Sequence, residues 1–124
     1  MARKVLIADD EPNIVASLEF LLVNAGYEVK VARNGEEALE IVGSFVPDAV
    51  LLDIMMPSKS GYAVCQEIRA NPAWRNIKIV MLTAKGRDVE IEKGLALGAD
   101  AYVTKPFSTR ELVTTVRDLV DGRA

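Results

Sequence analysis

Five polar residues that could carry chemistry each stand at the end of a short apolar stretch of this sequence. These residues are Asp9, Asp10, Asp53, Thr83 and Lys105. Asp53 is the most unusual of them, because it follows an unbroken apolar run that suits a strand buried on both faces. A charged side chain is rarely placed inside such a strand, but at its end it can face water, a metal ion or a substrate.

The types of these side chains indicate phosphoryl chemistry. Three clustered carboxylates would raise one another's pKa unless a cation lay among them. The chain has no histidine, so the ligands would be oxygens, and the hard ion Mg²⁺ suits them. A carboxylate can accept a phosphoryl group as an acyl phosphate, and this transfer depends on positioning and on neutralising the phosphoryl oxygens. Lys105 would supply positive charge, and Thr83 could donate a hydrogen bond.

The elements that position these residues alternate regularly between strand and helix patterns. Strands are predicted at 4–9, 27–32, 48–53, 77–83 and 100–104, and helices after Pro12, after a cap at Asn34, at 61–70, at 88–97 and after a cap at Ser108. This alternation predicts an α/β fold with a parallel sheet and helices on both faces. Since the carboxyl ends of parallel strands lie along one edge, all five polar residues should meet in one site.

The residue patterns of two segments predict further features of the structure. The strand at 27–32 alternates apolar and charged residues, which places it at an edge of the sheet. The helix at 88–97 has a thin apolar stripe of Val89, Leu95 and Leu97, and weak attachment of this kind suits an element that moves.

Composition narrows the class of protein. The length of 124 residues predicts one domain over residues 1–124. A net charge of −3 argues against direct nucleic-acid binding. No apolar segment approaches the roughly 18 residues that span a bilayer, so no membrane association is expected. The single cysteine, Cys65, excludes an internal disulfide, and we expect a reducing, cytoplasmic location.

Three of the site residues also have an ordinary structural explanation when each is taken alone, whereas Asp53 is harder to explain in this way. Asp10 could belong to the acidic first turn of the following helix. Thr83 could cap a strand end, and Lys105 could be a solvated surface residue. Their occurrence at successive strand ends favours a functional site.

The sequence resembles the receiver domain of two-component response regulators, the family of the chemotaxis response regulator. The resemblance covers essentially the whole chain and rests on these segments: Leu6–Glu11, Asp53 with Met56-Pro57 and Gly61, Thr83-Ala84, Gly98–Asp100, and Tyr102 with Lys105-Pro106-Phe107. It implies a flavodoxin-like, doubly wound sheet of five parallel strands in the order 2-1-3-4-5 with five helices. It also implies a cis peptide bond between Lys105 and Pro106.

The resemblance implies a role for each residue of the acidic site. Asp53 would be the phosphoacceptor. Asp10 and Asp53 would ligate Mg²⁺ through their side chains, Met55 would do so through its backbone carbonyl, and Asp9 would act through water. Lys105 would contact the phosphoryl group.

The resemblance further implies a switch. On phosphorylation Thr83 would move toward the phosphoryl oxygens, and Tyr102 would turn inward to fill the space. The output face would be the fourth helix, fifth strand and fifth helix. Met55 and Lys85 would flank the phosphoryl group and tune its lifetime.

These observations predict a phosphorylation-controlled signalling switch that is not an enzyme, apart from catalysing its own phosphorylation and dephosphorylation at Asp53. The implied partners are a sensor histidine kinase or a small-molecule phosphodonor, and a downstream effector protein or output domain. The output face could also support a weak homodimer. Ala101 weakens that case, because DNA-binding relatives often carry a second acidic residue there.

Two other classes of protein share part of this chemistry. A Mg²⁺-dependent phosphatase of the haloacid dehalogenase type also forms an aspartyl phosphate, but its Asp-x-Asp arrangement is absent at Asp9 and at Asp53. A pseudo-receiver that acts without phosphorylation would not need the complete acidic set, Thr83 and Lys105.

Overall fold

Five parallel strands form the sheet, in the order β2-β1-β3-β4-β5. The strands are β1 (Lys4–Ala8), β2 (Glu28–Ala32), β3 (Ala49–Asp53), β4 (Lys78–Ala84) and β5 (Ala101–Lys105). The helices are α1 (Pro12–Asn24), α2 (Gly35–Phe45), α3 (Gly61–Ala70), α4 (Asp88–Ala96) and α5 (Thr109–Val120), with a short 3₁₀ helix at Pro72–Trp74. This computed structural model describes residues 3–84 and 88–121. The predicted fold and strand order are confirmed.

The register of the sheet aligns the strand ends that carry the polar residues. Ala8 of β1 pairs with Leu52 of β3, which brings Asp9 and Asp53 to neighbouring positions one residue further along. Ala84 of β4 pairs with Lys105 of β5. Several polar side chains therefore project from one edge of the sheet, as the alternation of elements predicted.

The central strand β3 is buried on both faces because each face of the sheet has its own core. Val50 and Leu52 belong to the cluster beneath α2 and α3. Ala49 and Leu51 belong to the cluster beneath α1 and α5. Strand β2 lies at the edge and is partly exposed, as its alternating sequence predicted.

The predicted helix caps are present. The Asn34 side chain accepts a hydrogen bond from the Glu37 N–H at 2.8 Å, and the Ser108 hydroxyl accepts one from the Glu111 N–H at 3.3 Å. Each bond satisfies a backbone donor that lacks a partner in the first turn of its helix.

The predicted apolar stripe of α4 was wrong. Val89 is 79% exposed and Leu95 is 43% exposed, while Leu97 packs against the core beyond the end of the helix. The buried residue of α4 is Gly94, where an added Cβ would lie 3.2 Å from the Met81 side chain. The α4 backbone therefore approaches the sheet closely at Gly94, a position that has no side chain.

The loop before β5 is tied to α3 by one arginine. Arg69 donates to the Gly98 carbonyl at 2.8 Å and pairs with the Asp100 carboxylate at 2.7 Å. Asp100 also accepts a hydrogen bond from the Ile79 N–H at 2.8 Å. The Asp100 carboxylate is therefore engaged within the chain.

None of the helices within residues 3–84 and 88–121 combines the length and the apolar character needed to cross a membrane.

Candidate functional site

A cavity of about 200 Å³ opens at the carboxyl edge of the sheet. Four of the five predicted strand-end residues line it: Asp10, Asp53, Thr83 and Lys105. The fifth, Asp9, is fully buried and reaches the site through its bond to Lys105. The structure therefore brings together all five residues that the sequence placed at strand ends.

The acidic residues form a compact cluster. Asp9, Asp10 and Asp53 each offer a carboxylate oxygen, and these oxygens lie within 4.8 Å of one another. Asp9 and Asp53 are buried, whereas Asp10 is exposed. Three carboxylates with this spacing, open to solvent on one side, fit a hard divalent cation that shares its ligands between protein and water.

Lys105 provides positive charge inside this cluster. Its Nζ atom lies 2.9 Å from Asp9 Oδ2, 3.2 Å from Glu11 Oε1 and 3.5 Å from Asp53 Oδ1. Burial disfavours the ammonium and lowers its pKa, but the hydrogen bond to Asp9 and the nearby carboxylates outweigh that effect. The net pKa of Lys105 is raised, so the side chain stays charged at neutral pH.

The positive charge of Lys105 does not fully offset the unfavourable environment of the ionised Asp53 carboxylate. Burial, followed by the negative charge of Asp9, raises the pKa of Asp53 to about 6. Lys105 and the Met55 backbone N–H act in the opposite direction. A cation bound beside Asp53 would favour its ionised form, and this carboxylate chemistry fits a bound metal ion.

The raised pKa of Asp53 predicts that Asp53→Asn stabilises the metal-free protein at neutral pH. The folded protein holds the Asp53 proton up to about pH 6, whereas the unfolded chain releases it near 3.8. Ionisation therefore removes stability as pH rises through this window, and the variant escapes the loss. We expect the variant to be more stable by about 2 kcal/mol at pH 7.

Urea unfolding in EDTA between about pH 4 and pH 8 measures this difference, which should shrink toward the acidic end of the range. A variant less stable than the wild type at pH 7 would contradict the unfavourable environment assigned to the carboxylate.

The turn after β3 depends on Gly61. The Gly61 N–H donates to the Ile54 carbonyl at 2.8 Å. An added Cβ would clash with the Asp53 carbonyl oxygen and lie 2.9 Å from the Ile54 Cα. Glycine thus lets α3 begin close to the end of β3, while Met55 is left 72% exposed at the cavity.

The two residues of the implied switch differ in their environment. Thr83 is 2% exposed, and its hydroxyl donates to the Glu90 carboxylate at 3.3 Å. Tyr102 is 44% exposed. The expected cis bond between Lys105 and Pro106 is present. The other tuning residue, Lys85, lies outside the described residues.

Two carboxylates of the site were not among the predicted site residues. Glu11 contacts Lys105, and its place directly after Asp9-Asp10 was a signal that could have identified it. Glu90 lines the cavity from the first turn of α4. No sequence pattern marks Glu90, because its approach to Thr83 depends on how α4 packs on the sheet.

Comparisons with known proteins agree on one family. The model of the response regulator receiver domain family matches residues 5–117. A solved structure assigned as a response regulator from Chloroflexus aurantiacus is 37% identical, with a TM-score of 0.95, over 98% of this chain and 99% of that one. The chemotaxis response regulator CheY4 of Vibrio cholerae is 30% identical, with a TM-score of 0.90, over 96% and 99% of the two chains.

A third similar structure contains a metal. It is the receiver domain of a sensor histidine kinase from Pseudomonas aeruginosa, with a magnesium ion coordinated in its active-site cleft. It is 29% identical to this chain, with a TM-score of 0.89, over 98% of this chain and 99% of that one.

Proposed function

This chain belongs to the response regulator receiver domain family, and we propose that it is switched by phosphorylation of Asp53 in a reaction that requires Mg²⁺. The observation that carries the proposal is the buried Asp53 carboxylate between an acidic cluster and the Lys105 ammonium. A carboxylate in this setting has both a nucleophilic oxygen and a cation ready to meet the incoming phosphoryl oxygens.

The reaction forms one phosphorus–oxygen bond at Asp53 and breaks one phosphorus–oxygen or phosphorus–nitrogen bond of the donor. An Asp53 oxygen attacks the phosphorus of the donor and forms an acyl phosphate, while the bond to the donor's leaving group breaks and that group departs with its electron pair. Lys105 lies 3.5 Å from Asp53 Oδ1 and would neutralise part of the charge on the transferred group. Water later attacks the phosphorus and breaks its bond to the Asp53 oxygen, which releases inorganic phosphate and restores the free carboxylate.

The metal would be held by the side chains of Asp10 and Asp53 and by the Met55 backbone carbonyl. When bound, Mg²⁺ supplies positive charge to the phosphoryl oxygens. Asp9 fits a water-mediated role, because its two oxygens already accept hydrogen bonds from the Glu11 N–H and from Lys105, both at 2.9 Å. The magnesium in the Pseudomonas aeruginosa receiver domain supports this choice of ion.

A small phosphodonor tests the proposal directly. Incubation with acetyl phosphate and Mg²⁺ should add one phosphate, mapped to Asp53 by mass spectrometry after chemical trapping, and EDTA should prevent it. Turnover of an added phosphoester would instead indicate a phosphatase of the haloacid dehalogenase type. Absence of any reaction would indicate a pseudo-receiver and would overturn the proposal.

Phosphorylation would then change the face formed by α4, β5 and α5. The Thr83 hydroxyl would turn to the phosphoryl oxygens, and Tyr102, now 44% exposed, would move inward. The only reactions catalysed would be phosphorylation and dephosphorylation of Asp53 itself.

Met55 would set how long the phosphoryl group persists. Its side chain is 72% exposed beside the cavity and has no group that orients water strongly. Met55→Asn should accelerate hydrolysis several-fold, by about 3- to 10-fold, since an amide can position the attacking water. Decay of the phosphorylated protein after donor removal measures this rate, and unchanged decay would contradict the assigned role.

Membership of the receiver family and the net charge of −3 support a proposal about the partners and the setting. We propose that residues 1–124 form a single cytoplasmic receiver domain. A sensor histidine kinase or a small phosphodonor would phosphorylate this domain. The domain would then act on an effector protein or output domain without binding nucleic acid. A homodimer through the α4-β5-α5 face would be weak, because Asp100 is already paired with Arg69 and Ala101 offers no second charge.

A further inference from the structure

Glu90 occupies a position in the phosphorylation cavity that the proposed reaction does not use. It lines the same cavity as Asp53 and Lys105. Its Oε1 atom accepts the hydrogen bond from Thr83 Oγ1 at 3.3 Å. The acceptor that holds the buried switch hydroxyl in this structure is therefore a carboxylate on another element, α4.

A threonine hydroxyl has a single proton to donate. While Thr83 donates to Glu90, it cannot donate to a phosphoryl oxygen on Asp53. Bonds to ionised acceptors are stronger than bonds to neutral ones, so the Glu90 carboxylate competes effectively for this proton. Phosphorylation must break the Thr83–Glu90 bond before the switch can complete its movement.

The main chain of Glu90 is fixed by α3. The Tyr62 hydroxyl donates to the Glu90 backbone carbonyl at 3.1 Å. The Tyr62 ring in turn lies under Lys93 of α4, with Nζ 4.4 Å from the ring centroid. The backbone of Glu90 is thus fixed at the start of α4, the helix whose buried residue is Gly94.

We propose that Glu90 is a positioning residue that holds Thr83 in the unphosphorylated arrangement and couples its release to α4. This inference rests on the proposed phosphorylation of Asp53 and names the contact that opposes it. Loss of the Thr83–Glu90 bond removes one attachment of the first turn of α4. A change in the hydrogen bonding of Thr83 therefore alters, through the Glu90 carboxylate, how α4 is held at the output face.

Beryllofluoride, a stable mimic of the phosphoryl group, tests the competition in the presence of Mg²⁺. Glu90→Ala should bind it roughly 3- to 10-fold more tightly than the wild type, the range expected when one opposing hydrogen bond is removed. Glu90→Gln keeps a weaker acceptor and should fall between the two. Glu92→Ala removes the same charge from an exposed position of the same helix and should leave the affinity unchanged.

A double-mutant cycle with Thr83→Val separates the hydrogen bond from general charge repulsion. Without the hydroxyl there is no proton to compete for, so Glu90→Ala should no longer change the affinity for beryllofluoride. Hydrogen exchange provides the second readout. In the protein without beryllofluoride, Glu90→Ala should accelerate exchange of the α4 amides, and Glu92→Ala should not.

The outcomes distinguish the two proposals. If the wild type binds beryllofluoride at Asp53 but Glu90→Ala binds it no more tightly, the role of Glu90 is wrong and the proposed function stands. If Glu90→Ala still raises affinity by the same factor in the Thr83→Val protein, charge rather than the hydrogen bond is responsible and the inference is overturned. If the wild type neither binds beryllofluoride nor accepts phosphate, the proposed function fails and the inference fails with it.

Discussion

Asp53→Asn is expected to abolish phosphorylation by acetyl phosphate, with a loss of at least about 100-fold in labelling rate, since the nucleophile is removed. An amide has nearly the same shape as the carboxylate but does not form the acyl phosphate. The variant should remain folded, because the raised pKa of Asp53 shows that its negative charge is unfavourable in the folded protein. Loss of labelling would therefore report lost chemistry rather than lost structure.

Intact-mass measurements with and without Mg²⁺ follow this loss. Glu40→Gln is a suitable control, because Glu40 is an exposed carboxylate on α2 and its removal should leave labelling unchanged. Full labelling of Asp53→Asn would contradict the assignment of the acceptor. Mapping of such a label to Asp10 would move the nucleophile to the neighbouring strand end.

Lys105→Gln is expected to lower the stability of the metal-free protein by about 2–3 kcal/mol, because it leaves buried carboxylates without their cation. Asp9 is fully buried and bonded to Lys105 at 2.9 Å. Mg²⁺ should stabilise the variant more than it stabilises the wild type, since the ion would compensate charge that Lys105 normally balances.

Lys59→Gln is the matched control for this measurement. Lys59 also pairs with a carboxylate, Glu67, at 2.6 Å, but both side chains are substantially exposed. An exposed pair contributes only about 0–1 kcal/mol, so this change should be small. Urea unfolding in EDTA and in Mg²⁺ compares the two variants. Equal losses of stability would show that Lys105 does not balance a buried acidic cluster.

The clustering of the acidic site could be predicted closely because the site is built from strand ends. An apolar run predicts a strand, and the carboxyl ends of parallel strands lie along one edge of the sheet. That rule was enough to bring Asp9, Asp53 and Lys105 together across nearly the whole length of the chain. The order of the strands came from the family resemblance, and the edge position of β2 agreed with its alternating pattern.

The attachment of α4 could not be predicted in the same way. A short helix with few apolar residues gives an ambiguous periodic signal, and Val89 and Leu95 were assigned to the wrong environment. The residue that meets the core is Gly94, which has no side chain to produce a hydrophobic pattern. Its role depends on the distance between the α4 backbone and Met81, which is a property of packing.

The alternation of strand and helix patterns was enough to predict the α/β fold, the acidic strand ends and the set of groups that meet in the acidic site, because these follow from local patterns and from the topology they impose. The packing of the elements fixes how charge is shared within the site. It placed Lys105 against Asp9 more closely than against Asp53, and it turned Thr83 toward Glu90. Those contacts join residues on separate elements, and their distances are fixed by packing rather than by any periodicity along the chain.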